Sequence, residues 1–222
     1  MKKEIIVTAD GSHTISIPEL NVTYHSKYGS MQESIHVFIN AGLAFYENLH
    51  HKKSISIFEM GFGTGLNALL SWQFALQNNI TINYISVELN PITTNEIQLL
   101  NYGKLLNMQE EFEQIHSATW NKKQKIHSLF TLYKIHNSLT NFITTDLVDI
   151  IFYDAFAPTL QPELWTKEVF QKLFNILSPN GILVTYCSKS YVRKNMQAVG
   201  FSIQKIQGPP GKREMIRAIK IL

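Results

Sequence analysis

The stretch Ser54-Ile55-Ser56-Ile57-Phe58-Glu59-Met60-Gly61-Phe62-Gly63-Thr64-Gly65-Leu66-Asn67-Ala68-Leu69-Leu70-Ser71-Trp72 decides the fold. It reads as an apolar strand that ends in an acid, a turn with three alternating glycines, and the start of a helix. Glycine admits positive φ and close approach of a ligand to the backbone, and a helix start offers free N–H groups. Dinucleotide enzymes favour G-x-G-x-x-G around a pyrophosphate. Here the pattern is E-x-G-x-G-x-G, and Leu66 follows the last glycine. Glu59 at the strand end would repel a pyrophosphate and welcome the ammonium of a methionine moiety. A tight turn that needs only small residues is the plainer reading, and it does not require the acid.

Outward from this unit, strands and helices alternate. The pattern predicts strands over Thr81–Leu89, Leu129–Ile135, Leu147–Tyr153 and Ile182–Tyr186. The run Leu147–Tyr153 is almost wholly apolar, as in a parallel strand covered on both faces. Helices are expected over about 33–49, from Leu66, in stretches through about 115, and over 167–177, with Gly42 a weak point. The turn Ser178-Pro179-Asn180-Gly181 should precede the fifth strand. Phe201–Gln207 and Glu214–Ile221 flank Gly208-Pro209-Pro210-Gly211 and read as an antiparallel pair. Upstream, Glu4–Thr8, His13–Ile17 and Val22–Tyr24 read as short strands. The expected architecture is α/β and Rossmann-like, a mostly parallel seven-stranded sheet with a C-terminal antiparallel hairpin and a small N-terminal β addition. Residues 1–50 are expected to form that addition and a helix covering the cofactor site, and 51–222 the main domain, together one globular unit.

Two further acids fall at predicted strand ends. Ser86-Val87-Glu88 puts Glu88 at the carboxyl edge beside Glu59, where open α/β sheets bind ligands and where an acid can accept both ribose hydroxyls. That residue alone is equally compatible with NAD. Tyr153-Asp154-Ala155-Phe156-Ala157-Pro158 places Asp154 after the most apolar strand and resembles the Asp/Asn-Pro-Pro-aromatic motif of amino methyltransferases. Methyl transfer from a sulfonium is an in-line displacement, so an ammonium acceptor must be aimed and must lose a proton. Asp154 can do both, and Phe156 can pack on the cation. A helix N-cap or turn acid is the alternative for Asp154.

The chain has 222 residues, 17% of them charged, and one cysteine, Cys187, which fits core packing in a reducing compartment better than nucleophilic chemistry. The eight histidines lack ligand-like spacing, so no metal is expected. Without an apolar run of about 20 residues or a signal-peptide core, a cytoplasmic protein is expected, with no membrane contact. From Lys189 onward eight basic residues stand against one acid, a net +7, leaving −4 for the remainder. This is either a phosphate footprint or the solvated side of the final hairpin.

The blocks Phe58–Trp72, Asp154–Trp165 and Tyr191–Ile216, with Tyr28–Phe38, resemble the methyltransferase domain of the bacterial tRNA enzymes that make 5-methylaminomethyluridine at the wobble position. The resemblance implies a class I methyltransferase that uses S-adenosyl-L-methionine to methylate 5-aminomethyl(-2-thio)uridine at position 34 of tRNA. It implies cofactor contacts by Glu59, Gly61, Phe62, Gly63, Gly65, Asn67, Glu88 and Asp154, with Asp154 and Phe156 at the acceptor. Relatives tend to carry Gly-Asp after the third strand, where this chain has His136-Asn137-Ser138, so Asn137 is the stand-in for an adenine contact. Tyr28, Glu33, Arg193, Lys194, Lys212 and Arg213 fall within family-like blocks and are candidate RNA contacts. The two-part enzymes also carry a flavin-dependent oxidoreductase domain. At this length none is expected, leaving a stand-alone methyltransferase, by default monomeric, that needs a pre-formed amine. Competing readings are a methyltransferase of a small-molecule amine, an inactive RNA-binding module, and an NAD-dependent oxidoreductase, the last disfavoured by Glu59 and Leu66.

Overall fold

The computed structural model describes residues 2–221. At the amino end, β1 (Glu4–Val7), β2 (His13–Ile17) and β3 (Val22–Thr23) form a small antiparallel sheet of their own. A continuous helical segment follows, made of α1 (Ser30–Ser34), a π-helical stretch (Ile35–Ala44) and α2 (Phe45–His50). Gly42 is no weak point there. A Cβ at this position would meet Val184 at 3.0 Å and Phe152 at 3.1 Å, so the missing side chain lets the segment lie directly on the main sheet.

The main sheet has eight strands, one more than the sequence pattern predicts. They are β4 (Ser54–Met60), β5 (Thr81–Glu88), β6 (Gln124–His127), β7 (Phe130–His136), β8 (Val148–Tyr153), β9 (Leu177–Thr185), β10 (Phe201–Gln207) and β11 (Glu214–Lys220), in the spatial order β10-β11-β9-β8-β4-β5-β7-β6. The extra strand, β6, runs antiparallel to β7 at the edge through a bulged register. Four residues with one half-buried apolar position, Ile126, carry too weak a pattern to stand out. The C-terminal hairpin forms as expected, with β11 antiparallel to both β9 and β10. Ser178–Gly181 does not precede β9 but is looped out of it. Val148 pairs with Leu177 and Ile150 with Ile182, and Asn180 takes φ +61° to make the excursion.

Helices α3 (Leu66–Asn78), α4 (Thr94–Leu99), α5 (Tyr102–Leu106), α6 (Gln109–Ser117), α7 (Lys167–Ile176) and α8 (Ser190–Ala198) complete the layers. Their ends follow local chemistry. Thr93 and Glu96 form a reciprocal capping box on α4, and Asn79 closes α3 at φ +51°. Two apolar clusters cover the two sheet faces. One contains Val37, Leu69, Trp72, Ile57 and Phe152, and the other Phe58, Tyr153, Trp165, Phe170 and Val192. All six residues of β8 are buried, as a parallel strand between two helical layers requires. The sheet therefore exposes its chemistry at the carboxyl edges of β4, β5 and β8, where the chain order switches direction. Among the described residues no helix is long and apolar enough to cross a membrane.

Candidate functional site

At the end of β4, Glu59 stands in register with Ser86 of β5, which pairs in turn with Lys134 of β7. Ser86 donates its hydroxyl to Glu59 Oε2 at 2.8 Å. The other oxygen, Oε1, is buried with no hydrogen-bond partner among the described residues. Burial pushes the Glu59 carboxyl well above its ordinary value. The Ser86 bond opposes this and the Asp154 charge adds to it. A buried oxygen left without a donor is costly unless a ligand supplies one.

The turn that follows adopts the backbone its glycines allow, with φ +91°, +49° and +73° at Gly61, Gly63 and Gly65. Space is restricted as well as conformation. A Cβ on Gly61 would come within 3.1 Å of the Asp154 carbonyl, and one on Gly65 within 3.0 Å of His116 Nε2. Phe62 is buried, edge-on to both His116 and Trp120. Beneath it Lys134 is fully buried, donates to the His116 carbonyl at 2.8 Å, and is lowered to about 8 by burial.

Glu88 accepts the N–H of Gly63 at 3.0 Å on one oxygen and that of Asn90 at 2.7 Å on the other. A carboxylate has about four acceptor positions, so capacity remains at the sheet edge. Asn137 donates its backbone N–H to the Glu88 carbonyl, while its side-chain oxygen takes the N–H of Ser138.

Asn67, on the first turn of α3, donates Nδ2 to Asp154 Oδ2 at 3.0 Å, and its own Oδ1 is buried without a partner among the described residues. Asp154 is thus joined to the glycine turn both by that bond and by the packing of Gly61. Burial and then the Glu33 charge push its carboxyl up to about 7, against the Asn67 bond and the Lys212 charge. Around it, Phe156 meets Tyr24 edge-on at 5.3 Å between ring centroids, and Tyr24 also lies against Gly63. Tyr186 donates its hydroxyl to the Ala155 carbonyl at 2.8 Å.

The structure therefore brings Glu59, the glycine turn, Asn67, Glu88, Asn137, Asp154 and Phe156 to one edge. The candidate RNA contacts divide. Glu33 is buried and ion-paired with Lys212 at 2.8 Å, and the Tyr28 ring lies against Gly211. Lys194 and Arg213 are exposed, while Arg193 is half-buried and donates to Ser190 Oγ. Lys205, Lys212, Arg213 and Glu214 line an open cleft of about 600 Å³ with Tyr186 and Ser188. Sequence reasoning missed Ser86, Tyr24 and Tyr186. Ser86 had a signal, a polar residue in an apolar strand two places before Glu88 and hence on its face. Tyr24 and Tyr186 had none, because only the tertiary fold brings them to the edge.

A parallel sheet with a reversed strand beside its edge, an acid-flanked glycine turn without pyrophosphate spacing, and a second acid facing it define a class I methyltransferase. The family model for S-adenosyl-L-methionine-dependent methyltransferases matches residues 98–221, and the chain belongs to that family. Among relatives, the tRNA 5-methylaminomethyl-2-thiouridine biosynthesis bifunctional protein MnmC of Leptospira interrogans is 31% identical over 206 residues. That match covers 87% of this chain and 32% of the relative. The protein of the same name from Ectopseudomonas mendocina is 30% identical over 207 residues, covering 87% and 31%. The chain thus spans about a third of the length of the curated relatives it matches. The crystal structure of MNMC2 from Aquifex aeolicus superposes over 98% of this chain and 69% of that one, with a TM-score of 0.81 at 24% identity, which establishes the fold. The cofactor is S-adenosyl-L-methionine, and the site suits it. Buried oxygens on Glu59 and Asn67 that have no partner among the described residues fit a cationic amino group, and the glycine turn leaves room for close approach.

Proposed function

We propose that the chain methylates the aminomethyl nitrogen of 5-aminomethyl(-2-thio)uridine at tRNA position 34, yielding 5-methylaminomethyl(-2-thio)uridine in the cytoplasm. The observation that carries this reading is Asp154, a half-buried acid with a single side-chain donor among the described residues, raised to about 7 and packed against the glycine turn. The names of the relatives supply the substrate.

In this reading Glu59 and Asn67 hold the cofactor's amino group, Gly61, Gly63 and Gly65 let its backbone-facing side approach, and Glu88 takes the ribose hydroxyls. Phe62 and Asn137 border the base, and the 1–50 segment covers the site through Tyr24. When bound, S-adenosyl-L-methionine supplies an electrophilic methyl on a sulfonium. Asp154 accepts a proton from the substrate ammonium, so that the N–H bond breaks, an O–H bond forms, and the nitrogen lone pair is freed to take the methyl. A carboxyl poised near 7 accepts that proton close to neutral pH. Phe156 packs on the acceptor, and Arg193, Lys194, Lys205 and Arg213 meet phosphates of the anticodon loop.

The test is incubation with tRNA from a strain lacking the modification, followed by nucleoside mass analysis. One methyl group gained on aminomethyluridine is the expected result. Unchanged tRNA alongside turnover of small amines would replace this substrate with a small molecule.

A further inference from the structure

Glu33 and Lys212 are 179 positions apart in sequence, yet Lys212 Nζ donates to Glu33 Oε1 at 2.8 Å. Glu33 is only 7% exposed, and its other oxygen takes the Ser26 N–H at 2.7 Å. The same Nζ stands 3.8 Å from the centroid of the Tyr186 ring, whose hydroxyl is tied to the residue after Asp154. One carboxylate and one aromatic face thus enclose a primary ammonium. Such a cage recognises the group CH2–NH3+, whichever molecule carries it. The end of a lysine side chain and the protonated aminomethyl group of the proposed acceptor are the same group.

Lys212 is also placed to leave. It sits on the turn between β10 and β11, where its own N–H closes onto the Pro209 carbonyl, and its side chain lines the open basic cleft with Lys205 and Arg213. We propose that the Glu33–Tyr186 cage is the seat of the acceptor ammonium, and that Lys212 fills it until the substrate's aminomethyl group displaces it toward the cleft. This rests on the reading of Asp154 as the acceptor acid. Exchanging one ammonium for another keeps Glu33 neutralised, whereas a substrate bearing a hydroxyl in place of the amine would strip Glu33 of its partner. The seat therefore selects amines.

The exchange also acts on Asp154. The charged and titratable groups around it are Glu33 from α1, Glu59 from β4, Tyr84 from β5, Tyr186 after β9, and Lys212 from the turn. Removing Lys212 leaves the acids to hold the Asp154 proton more tightly, and removing the Glu33 charge does the reverse.

The experiment compares binding of 5-aminomethyluridine and 5-hydroxymethyluridine, by calorimetry with S-adenosylhomocysteine present, to the wild type, Lys212→Met and Glu33→Gln. Met keeps an apolar stem over Tyr186, Gln keeps an acceptor for Ser26, and melting curves verify folding. Lys212→Met is expected to bind the amine roughly tenfold more tightly, and Glu33→Gln to lose the preference for amine over alcohol. In kcat/KM profiles the acid limb should move to higher pH in Lys212→Met and lower pH in Glu33→Gln. An unimproved amine affinity in Lys212→Met, a preference surviving in Glu33→Gln, or fixed acid limbs would overturn the seat. Methylammonium separates the two readings. Glu33-dependent binding of methylammonium by a protein that leaves aminomethyl tRNA untouched supports the seat and removes the wobble base. Methylated tRNA with no Glu33-dependent amine binding removes the seat alone.

Discussion

Strand β8 carries a buried acid near its amino end and a half-buried one just past its carboxyl end, and the fold treats them differently. Asp149 receives the Tyr46 hydroxyl at 3.1 Å, the Lys52 ammonium at 2.5 Å and the Ser56 N–H at 2.9 Å. Asp154, five residues on, receives one side-chain donor, and a neighbouring acid pushes against it. The first is a closed structural knot. At the second edge donors are withheld, and Glu59 and Asn67 likewise keep idle oxygens there. An unfilled polar group inside a protein destabilises it, so two side-chain oxygens left idle together beside the glycine turn mark where a ligand completes the set.

The largest separation is expected from alanine at each end. Asp154→Ala should lower methyl transfer about 10³-fold, the scale of a lost general base, while calorimetry still finds S-adenosyl-L-methionine bound. Full activity in that variant would break the contrast. Asp149→Ala should leave turnover per folded molecule intact and lower the unfolding free energy by about 2 kcal/mol, read in urea, because its buried donors lose their acceptor. Glu59→Gln should weaken cofactor binding roughly 30-fold without a comparable stability loss, since its idle oxygen serves the ligand rather than the fold.

A smaller effect concerns protons. Folded Asp154 keeps its proton up to about 7, whereas in the unfolded chain it loses it near 3.8. Between these values the folded state binds more protons, so this group makes stability fall as pH rises from 4 to 7. Glu59 acts in the same direction. Denaturation at several pH values should show that slope flattened in Asp154→Ala. A cationic cofactor favours the ionised acids, so its binding should release protons and strengthen as pH rises, as seen in buffers of different ionisation heat. The smallest effect is expected between the two acids. Gly42→Ala presses on Val184 and on Phe152, the penultimate residue of β8, and should cost about 1 kcal/mol by overpacking while cofactor affinity stays put.

The two halves of the edge differed in how far the sequence revealed them. The cofactor half is local. Glu59 through Asn67 is one strand, turn and helix start, and Glu88 ends the next strand, so periodicity and glycine spacing place them all. Asp154 was legible because an apolar run stopped there. The acceptor side was not, because Tyr24, Glu33, Tyr186 and Lys212 come from four separate elements, and nothing local says that they meet. Glu33 and Lys212 entered as separate RNA contacts, and only the fold shows them engaged with each other. Boundaries moved for similar reasons. β6 is an edge strand held by its pairing with β7, and the Ser178–Gly181 excursion is tolerated because β9 keeps its partner on both sides of it.

The 179-residue span between Glu33 and Lys212 also sets a schedule. During synthesis the donor half can close only once β8 and Asp154, which holds Asn67, have emerged, and the acceptor half waits longer, until residue 212 reaches back to the start of the chain. The side of the edge that holds the cofactor is therefore complete in the chain before the side that receives the acceptor. Competence to react is conferred late, by contacts between the first helical segment and the last hairpin that include the Glu33–Lys212 pair, His36 beside the Gln207 carbonyl and Arg217 on the Ala41 carbonyl.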